Sequence, residues 1–179
     1  IIIMAILAST LRFATPLIFA SIGGVFTERS GVVNIALEGI MIMGAFFAIL
    51  TFRYVPNPWV AILFAMVMGI LTSLILGVLA IHLRANQVVA GVAINLLAGS
   101  LAAYLLEVIY GRSGQTDPIR GGLSRSPEIL EFLNDIPVLG SFFSGLNPFV
   151  YLAFIVVAVA YFVLFKTPFG LRIRSVCEH

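Results

Sequence analysis

Charge is the property this sequence has least of. Only 10% of its 179 residues are charged and 61% are hydrophobic, with a mean hydropathy of +1.13. A soluble domain carries about a quarter charged residues, so the composition excludes a soluble globular chain. The formal net charge of +2 is too small and too scattered to indicate nucleic-acid binding. The sequence therefore predicts an integral membrane protein whose first partner is the lipid bilayer.

Cysteine, histidine and nucleotide-binding motifs are scarce or absent. The single cysteine, Cys177, excludes an internal disulfide and has no neighbours at metal-ligand spacing, so we expect no metal and no cofactor. The chain contains no Walker A pattern, and ATP energy would have to come from another chain. A GxSG match at 111–114 lies in a polar loop without a histidine base, so it does not indicate a protease. We predict that the chain is not an enzyme.

Long apolar runs are what the sequence has instead. Five of them approach or exceed the roughly 20 residues that span a bilayer as a helix. They predict an all-α polytopic membrane protein with about five transmembrane helices, at 1–26, 32–52, 60–83, 88–109 and 148–165. Basic residues favour the short loops on one side, which the positive-inside rule assigns to the cytoplasm. The long polar loop at 111–147 is then extracytoplasmic.

Small residues recur at four-residue spacing on two of these runs. Such a ridge lets a second helix approach closely in a membrane. We expect helix packing at Ala65, Gly69, Ser73 and Gly77 in the third run, and at Gly91 and Gly99 in the fourth.

Polar side chains at membrane depth are the candidates for a functional site. The stretch ERSGVVNIALEG at 28–39 separates the first two runs, and a charge at that depth costs roughly 2.5–3.5 kcal/mol. On a helix, Asn34 and Glu38 would share a face. Alternatively, Asn34 caps the helix and Glu38 is a first-turn anion. Asn95, near the middle of the fourth run, either lines a pathway or forms an interhelical hydrogen bond.

Four segments carry a family resemblance, in the order ERSGVVNIALEGIMIMGAFFA, NQVVAGVAINLLA, DIPVLG and TPFGLRIRSVCEH. Together they resemble the permease subunits of bacterial ABC importers for nucleosides and simple sugars, relatives of the ribose permease. NIALEG and GLRIRSVCEH are the specific parts, and Cys177 stands where the family usually has glycine. The resemblance implies that 1–179 is a transmembrane permease domain, the N-terminal part of a larger bundle in the bacterial cytoplasmic membrane.

The resemblance also implies partners and residue roles. Such a permease passes a small neutral solute and pairs with a second permease subunit, an ABC ATPase subunit and an extracytoplasmic substrate-binding protein. Asn34, Glu38 and Asn95 would border the translocation path. The cytoplasmic coupling segment at 166–179 would dock the ATPase through Gly170, Leu171, Arg172, Arg174 and Glu178.

Other functions remain open at this point. A branched-chain amino-acid ABC permease would bind a zwitterion and should offer a helix N-terminus to its carboxylate. An ion-coupled secondary transporter would use Glu38 or Glu107 as its cation site. A purely structural membrane subunit would leave Glu38 and Asn95 unexplained.

Overall fold

The structure, a computed structural model, describes residues 2–111, 114–116 and 146–177. These residues form six helices and no strand: α1 Ile2–Arg29, α2 Leu37–Tyr54, α3 Pro58–Gly77, α4 Gln87–Tyr110, α5 Pro148–Lys166 and α6 Pro168–Cys177. Helices α1 to α5 are long and apolar enough to cross a membrane. The predicted all-α class with five spans is confirmed.

The chain divides into two compact units. One unit comprises Ile1–Ser30 and Gly121–His179, and in it α1 packs against α5, which α6 follows directly. The other comprises Gly31–Arg120, and in it α2 packs against both α3 and α4. The three polar residues assigned to a pathway all lie in this second unit.

Asparagine caps mark three of the helix starts. Asn57, Asn86 and Asn147 precede α3, α4 and α5, and each side-chain oxygen accepts a hydrogen bond from the backbone N–H two residues later. Helix α2 is different, because its N-cap residue is Ala36, which has no polar side chain. The start of α2 must therefore be fixed by groups from elsewhere.

The start of α2 and the helix geometry at the end of the third span differ from the sequence prediction. Helix α2 begins at Leu37 rather than near residue 32, because Gly31 adopts a left-handed φ of +84° and the chain stays irregular up to Ala36. The third span is helical as far as predicted, but its last turn, Val78–His82, widens into a π-helix, with Leu83 N bonded to Val78 O at 3.1 Å.

The ridge on α3 contacts α2 over part of its length. A Cβ added to Gly69 would lie 3.7 Å from Ile40 Cγ2, and one added to Gly44 would lie 3.6 Å from the Ala65 carbonyl oxygen. A Cβ on Gly77 meets no described atom within 4 Å, and helix packing there stays a prediction. Ser73 is half-buried between these positions.

Burial in the second unit is concentrated around the start of α2. Ala36 is fully buried and clusters with Leu76 of α3 and with Ala90 and Ile94 of α4. Large apolar side chains such as Leu63 face outward, as expected for helices in contact with lipid.

The corner between α5 and α6 requires a glycine. A Cβ on Gly170 would overlap the backbone carbonyl of Leu164, which cannot move without unwinding α5. The Thr167 hydroxyl tightens the same corner, because it donates to Val163 O and accepts from Gly170 N at 3.3 Å. The residue expected to couple to an ATPase thus also has a steric role within the chain.

We predict that Gly170→Ala lowers the thermal stability of the full-length protein in detergent, since overpacking of this kind costs about 1–3 kcal/mol. The matched control is Gly23→Ala on α1, where an added Cβ meets no atom of the described residues within 4 Å and alanine favours the helix. Thermal denaturation of both variants compares them. A Gly170→Ala protein as stable as the control would contradict the described corner.

Candidate functional site

Residues 31–36, which we call the break segment, lie against the first half of α4. Its first anchor is Gln87, whose Oε1 accepts a hydrogen bond from the backbone N–H of Val33 at 2.8 Å. Within the segment, Asn34 Oδ1 accepts from the backbone N–H of Ala36 at 3.1 Å. Side-chain carboxamides thus take the place of the regular helical hydrogen bonds that this backbone lacks.

The second anchor is Asn95. Its Oδ1 accepts a hydrogen bond from the backbone N–H of Gly39 at 2.7 Å, and its Nδ2 donates to the carbonyl oxygen of Ile35 at 2.9 Å. In an uninterrupted α-helix the Gly39 N–H would bond to the Ile35 carbonyl directly. The Asn95 carboxamide is therefore inserted into that bond. The adjacent bond, from Ile40 N to Ala36 O at 3.0 Å, is direct.

Two glycines permit this close approach. A Cβ on Gly39 would lie 2.9 Å from Asn95 Oδ1 and 3.1 Å from Asn95 Cα. A Cβ on Gly91 would lie 2.8 Å from Ile35 Cβ and 3.2 Å from the Ala36 nitrogen. All four distances are shorter than ordinary van der Waals contact, so α4 can approach the break segment and the start of α2 this closely at Gly91 and Gly39 only because neither has a side chain.

The anchors lie on one face of α4. Gln87, Gly91 and Asn95 are spaced four residues apart and therefore stack along the helix. At 1.5 Å per residue, about 12 Å separate the first from the last. The irregular backbone thus accompanies a spanning helix for several ångströms. In a membrane such backbone is tolerated only where protein buries it or where it lines a cavity.

Asn34 and Glu38 do not share a helical face, which corrects the first of the two sequence readings. The reason is that α2 begins at Leu37, after Asn34. Asn34 is nine-tenths buried in the break segment, and it does not cap α2 either. Glu38 is exposed in the first turn of α2, where the helix dipole favours an anion.

A groove lies between the other halves of α2 and α4. It encloses about 420 Å³, within the range of small-molecule sites. Apolar side chains form its walls and polar ones its end, including Ile42, Phe46, Ile49, Leu106, Gln115 and Thr116. Beside this region the Arg53 guanidinium carbon lies 4.6 Å from the ring centre of Tyr110.

Helix α6 carries four of the five residues assigned to ATPase coupling. Leu171 and Arg172 are exposed. Arg174 is half-buried, with its Nε donating to Gly170 O at 3.4 Å and its guanidinium carbon 5.3 Å from the ring centre of Phe165. Glu178 lies outside the described residues, as do Ser113 and most of the 111–147 loop.

Two further candidates from the sequence, Glu107 and Gly99, lie on α4. Glu107 is exposed on α4. A Cβ on Gly99 meets no described atom within 4 Å, and helix packing there stays a prediction. In the part of the chain that the structure describes, no three His, Cys, Asp or Glu side chains meet at one point. Sequence reasoning missed Gln87 and Gly39, although Gln87 is two four-residue steps from Asn95.

Comparison with known proteins identifies the family. Residues 6–179 match the family described as branched-chain amino acid transport system / permease component. The chain belongs to this family of permeases. It is accordingly a multi-pass protein of the cell membrane, and the family description does not favour the ion-coupled alternative based on Glu38 or Glu107.

Three relatives of this chain have names that state a solute. The guanosine ABC transporter permease protein NupQ of Bacillus subtilis is 47% identical, over 99% of this chain and 57% of its own length. The nucleoside ABC transporter permease protein NupC of Lactococcus lactis is 42% identical over 97% and 56%. The putative glucose ABC transporter permease protein TsgC13 of Haloferax volcanii is 30% identical over 97% and 51%. The chain spans about half the length of these relatives, and no solved structure matches it significantly.

We predict that Gly91→Ala destabilises the full-length protein, because the added methyl group would lie 2.8 Å from Ile35 Cβ and overpacking costs about 1–3 kcal/mol. Gly99→Ala, two turns further along α4, is the control, since no atom in the described part of the chain lies within 4 Å of its added Cβ. Heat-induced unfolding in detergent measures both. Equal melting temperatures would show that the break segment does not dock closely at Gly91.

Proposed function

We propose that this chain forms part of the transmembrane pathway of an ATP-driven importer that takes up nucleosides across the bacterial cytoplasmic membrane. The observation that carries the proposal is the pair of relatives at 47% and 42% identity, both named as nucleoside or guanosine permeases. A simple sugar is the second candidate, supported by the relative named as a putative glucose permease at 30% identity.

The chemistry of the break segment favours a neutral solute over an amino acid. A zwitterionic amino acid needs backbone N–H groups at a helix start for its carboxylate. At the start of α2 the Gly39 N–H is already bonded to Asn95, and Glu38 places its own carboxylate in the first turn. A nucleoside instead asks for uncharged hydrogen-bonding groups beside apolar and aromatic surface. The groove between α2 and α4 offers both kinds of surface, with Phe46 and Ile49 on its walls and Gln115 and Thr116 at its end.

In this proposal the solute passes along the break segment and the start of α2. Asn34, Glu38 and Asn95 border its path, all within the unit formed by α2, α3 and α4. The groove between α2 and α4 has the volume to hold one nucleoside. The 111–147 loop faces the extracytoplasmic side, where a substrate-binding protein delivers the solute.

Energy in this proposal comes from partners. The importer contains a second permease subunit and a separate ABC ATPase, since this sequence has no nucleotide-binding motif. The 166–179 segment couples to the ATPase in the cytoplasm, with Arg172 as an exposed charge on α6. The same coupling segment includes Gly170, Leu171, Arg174 and Glu178.

We expect guanosine to stimulate ATP hydrolysis severalfold in the full-length permease reconstituted with its ATPase, its permease partner and its binding protein. Leucine and glucose, added at the same concentration, should give no stimulation, because neither presents a nucleobase and leucine carries an unpartnered carboxylate. Phosphate release measures the effect. Stimulation by leucine alone would reject the nucleoside assignment in favour of an amino acid.

We also expect Arg172→Glu to lower the number of solute molecules imported per ATP hydrolysed, because it reverses an exposed charge on the docking helix. Arg174→Glu should in addition lower the melting temperature, since its guanidinium packs on Phe165. Arg84→Glu, in the loop before α4, is the control for charge reversal elsewhere. Normal coupling in the Arg172→Glu importer would reject the docking role of α6.

A further inference from the structure

The first turn of α2 differs from an ordinary helix start in one respect. The Gly39 N–H and the Ile35 carbonyl are four residues apart and would bond to each other in a regular α-helix. Here both bond instead to the side chain of Asn95, which is 56 residues from Gly39 and 60 from Ile35 in the sequence. A side chain inserted into the helical hydrogen-bond ladder is a known cause of helix interruption. The insertion occurs at the point where the break segment ends.

The local sequence offers the break segment only one alternative to helix once Gly31 is passed, the hydrogen bond from Ala36 N–H to Asn34 Oδ1. Residues 32–36 read VVNIA, and they continue directly into the apolar run of α2. No proline and no N-cap side chain at Ala36 stops the helix there. Asn34 and Gln87 bond within the break segment, and the distant carboxamide of Asn95 bonds at its boundary with the helix.

We propose that Asn95 is a positioning residue that sets where α2 begins. Its carboxamide holds the Gly39 to Ile35 hydrogen bond open and so keeps the break segment unwound beside α4. Withdrawal of this group lets the direct bond close, and α2 then extends by about one turn toward Asn34. Through this bond α4 controls the conformation of the backbone along which, under the proposed function, the solute passes.

The geometry explains why the group must be a carboxamide of this length. One atom must accept from an N–H while its neighbour donates to a carbonyl, and asparagine presents both in one plane. The two bonds are 2.7 and 2.9 Å long, so the group fills the gap. Gly39 completes the arrangement, because a Cβ there would lie 2.9 Å from Asn95 Oδ1.

A distance measurement tests the inference without any solute. Spin labels are placed at Val33→Cys and Tyr54→Cys, two exposed positions at either end of this region, in a cysteine-free full-length protein held in lipid nanodiscs with its partners. Conversion of four residues from extended to helical rise shortens the separation by at most about 7 Å. We expect Asn95→Leu, a side chain of similar size without hydrogen-bonding groups, to shorten the label distance by several ångströms.

Two further variants complete the design. Asn95→Ser should shorten the distance as well, because a hydroxyl on one carbon cannot reach both Gly39 and Ile35, and it serves if the leucine variant does not accumulate. Asn57→Leu removes a helix-capping asparagine of the same unit that does not touch the break segment, and it should leave the distance unchanged. An unchanged distance in the Asn95 variants overturns the inference.

Transport kinetics separate positioning from solute contact. If Asn95 acts through the start of α2, guanosine uptake by the Asn95→Leu importer should lose maximal rate along with the change in distance. A raised KM with an unchanged distance would instead assign Asn95 to direct contact with the solute and overturn the positioning role. Failure of guanosine to stimulate the wild-type importer would reject the proposed function alone, since the label distance does not depend on it.

Discussion

A backbone amide inside a bilayer has no water to bond to, and the unit formed by α2, α3 and α4 is built around that constraint. Every helix that starts near a membrane surface can use a local asparagine, as α3, α4 and α5 do. Helix α2 instead starts beside Asn95 of α4, which lies about 12 Å along α4 from Gln87. There the Gly39 N–H and the Ile35 carbonyl depend on Asn95, because leaving a buried polar group unpaired costs about 1–3 kcal/mol.

Close packing follows from the same hydrogen bonds. A carboxamide reaches a backbone N–H of another helix only if the two backbones approach without side chains between them. Gly39 and Gly91 provide that space on α2 and α4, whereas Gly77 and Gly99 have open space beside them in the described structure. Small residues at regular spacing thus identify surfaces that can be approached, while the polar pairs determine which part of the surface is used.

The sequence alone was sufficient to predict the five spanning helices and one of the two α4 side chains that anchor the break segment. Apolar run lengths predicted all five spanning helices, and Asn95 was recognised with an interhelical hydrogen bond as one of its two readings. The start of α2 was predicted near residue 32, too early in the sequence, because residues 32–36, VVNIA, are as apolar as the helix that follows them. Only Gly31, with its left-handed φ, marks a clear interruption after α1. The partners of Asn95 were not predictable, since they are backbone atoms and the sequence does not distinguish one N–H from another. The role of Gly170 at the α5–α6 corner was hidden for the same reason.

Gly39 and Asn95 are 56 positions apart in the sequence, and this separation has a consequence for biogenesis. At synthesis rates of about 5–20 residues per second, α2 leaves the ribosome roughly 3–11 s before the side chain that completes its first turn. During that interval α2 and α3 can enter the membrane as a hairpin, but the backbone ahead of Leu37 has no partner on a fourth helix. The final shape of the second span is therefore set after its insertion, when the nascent chain has delivered α4 beside it.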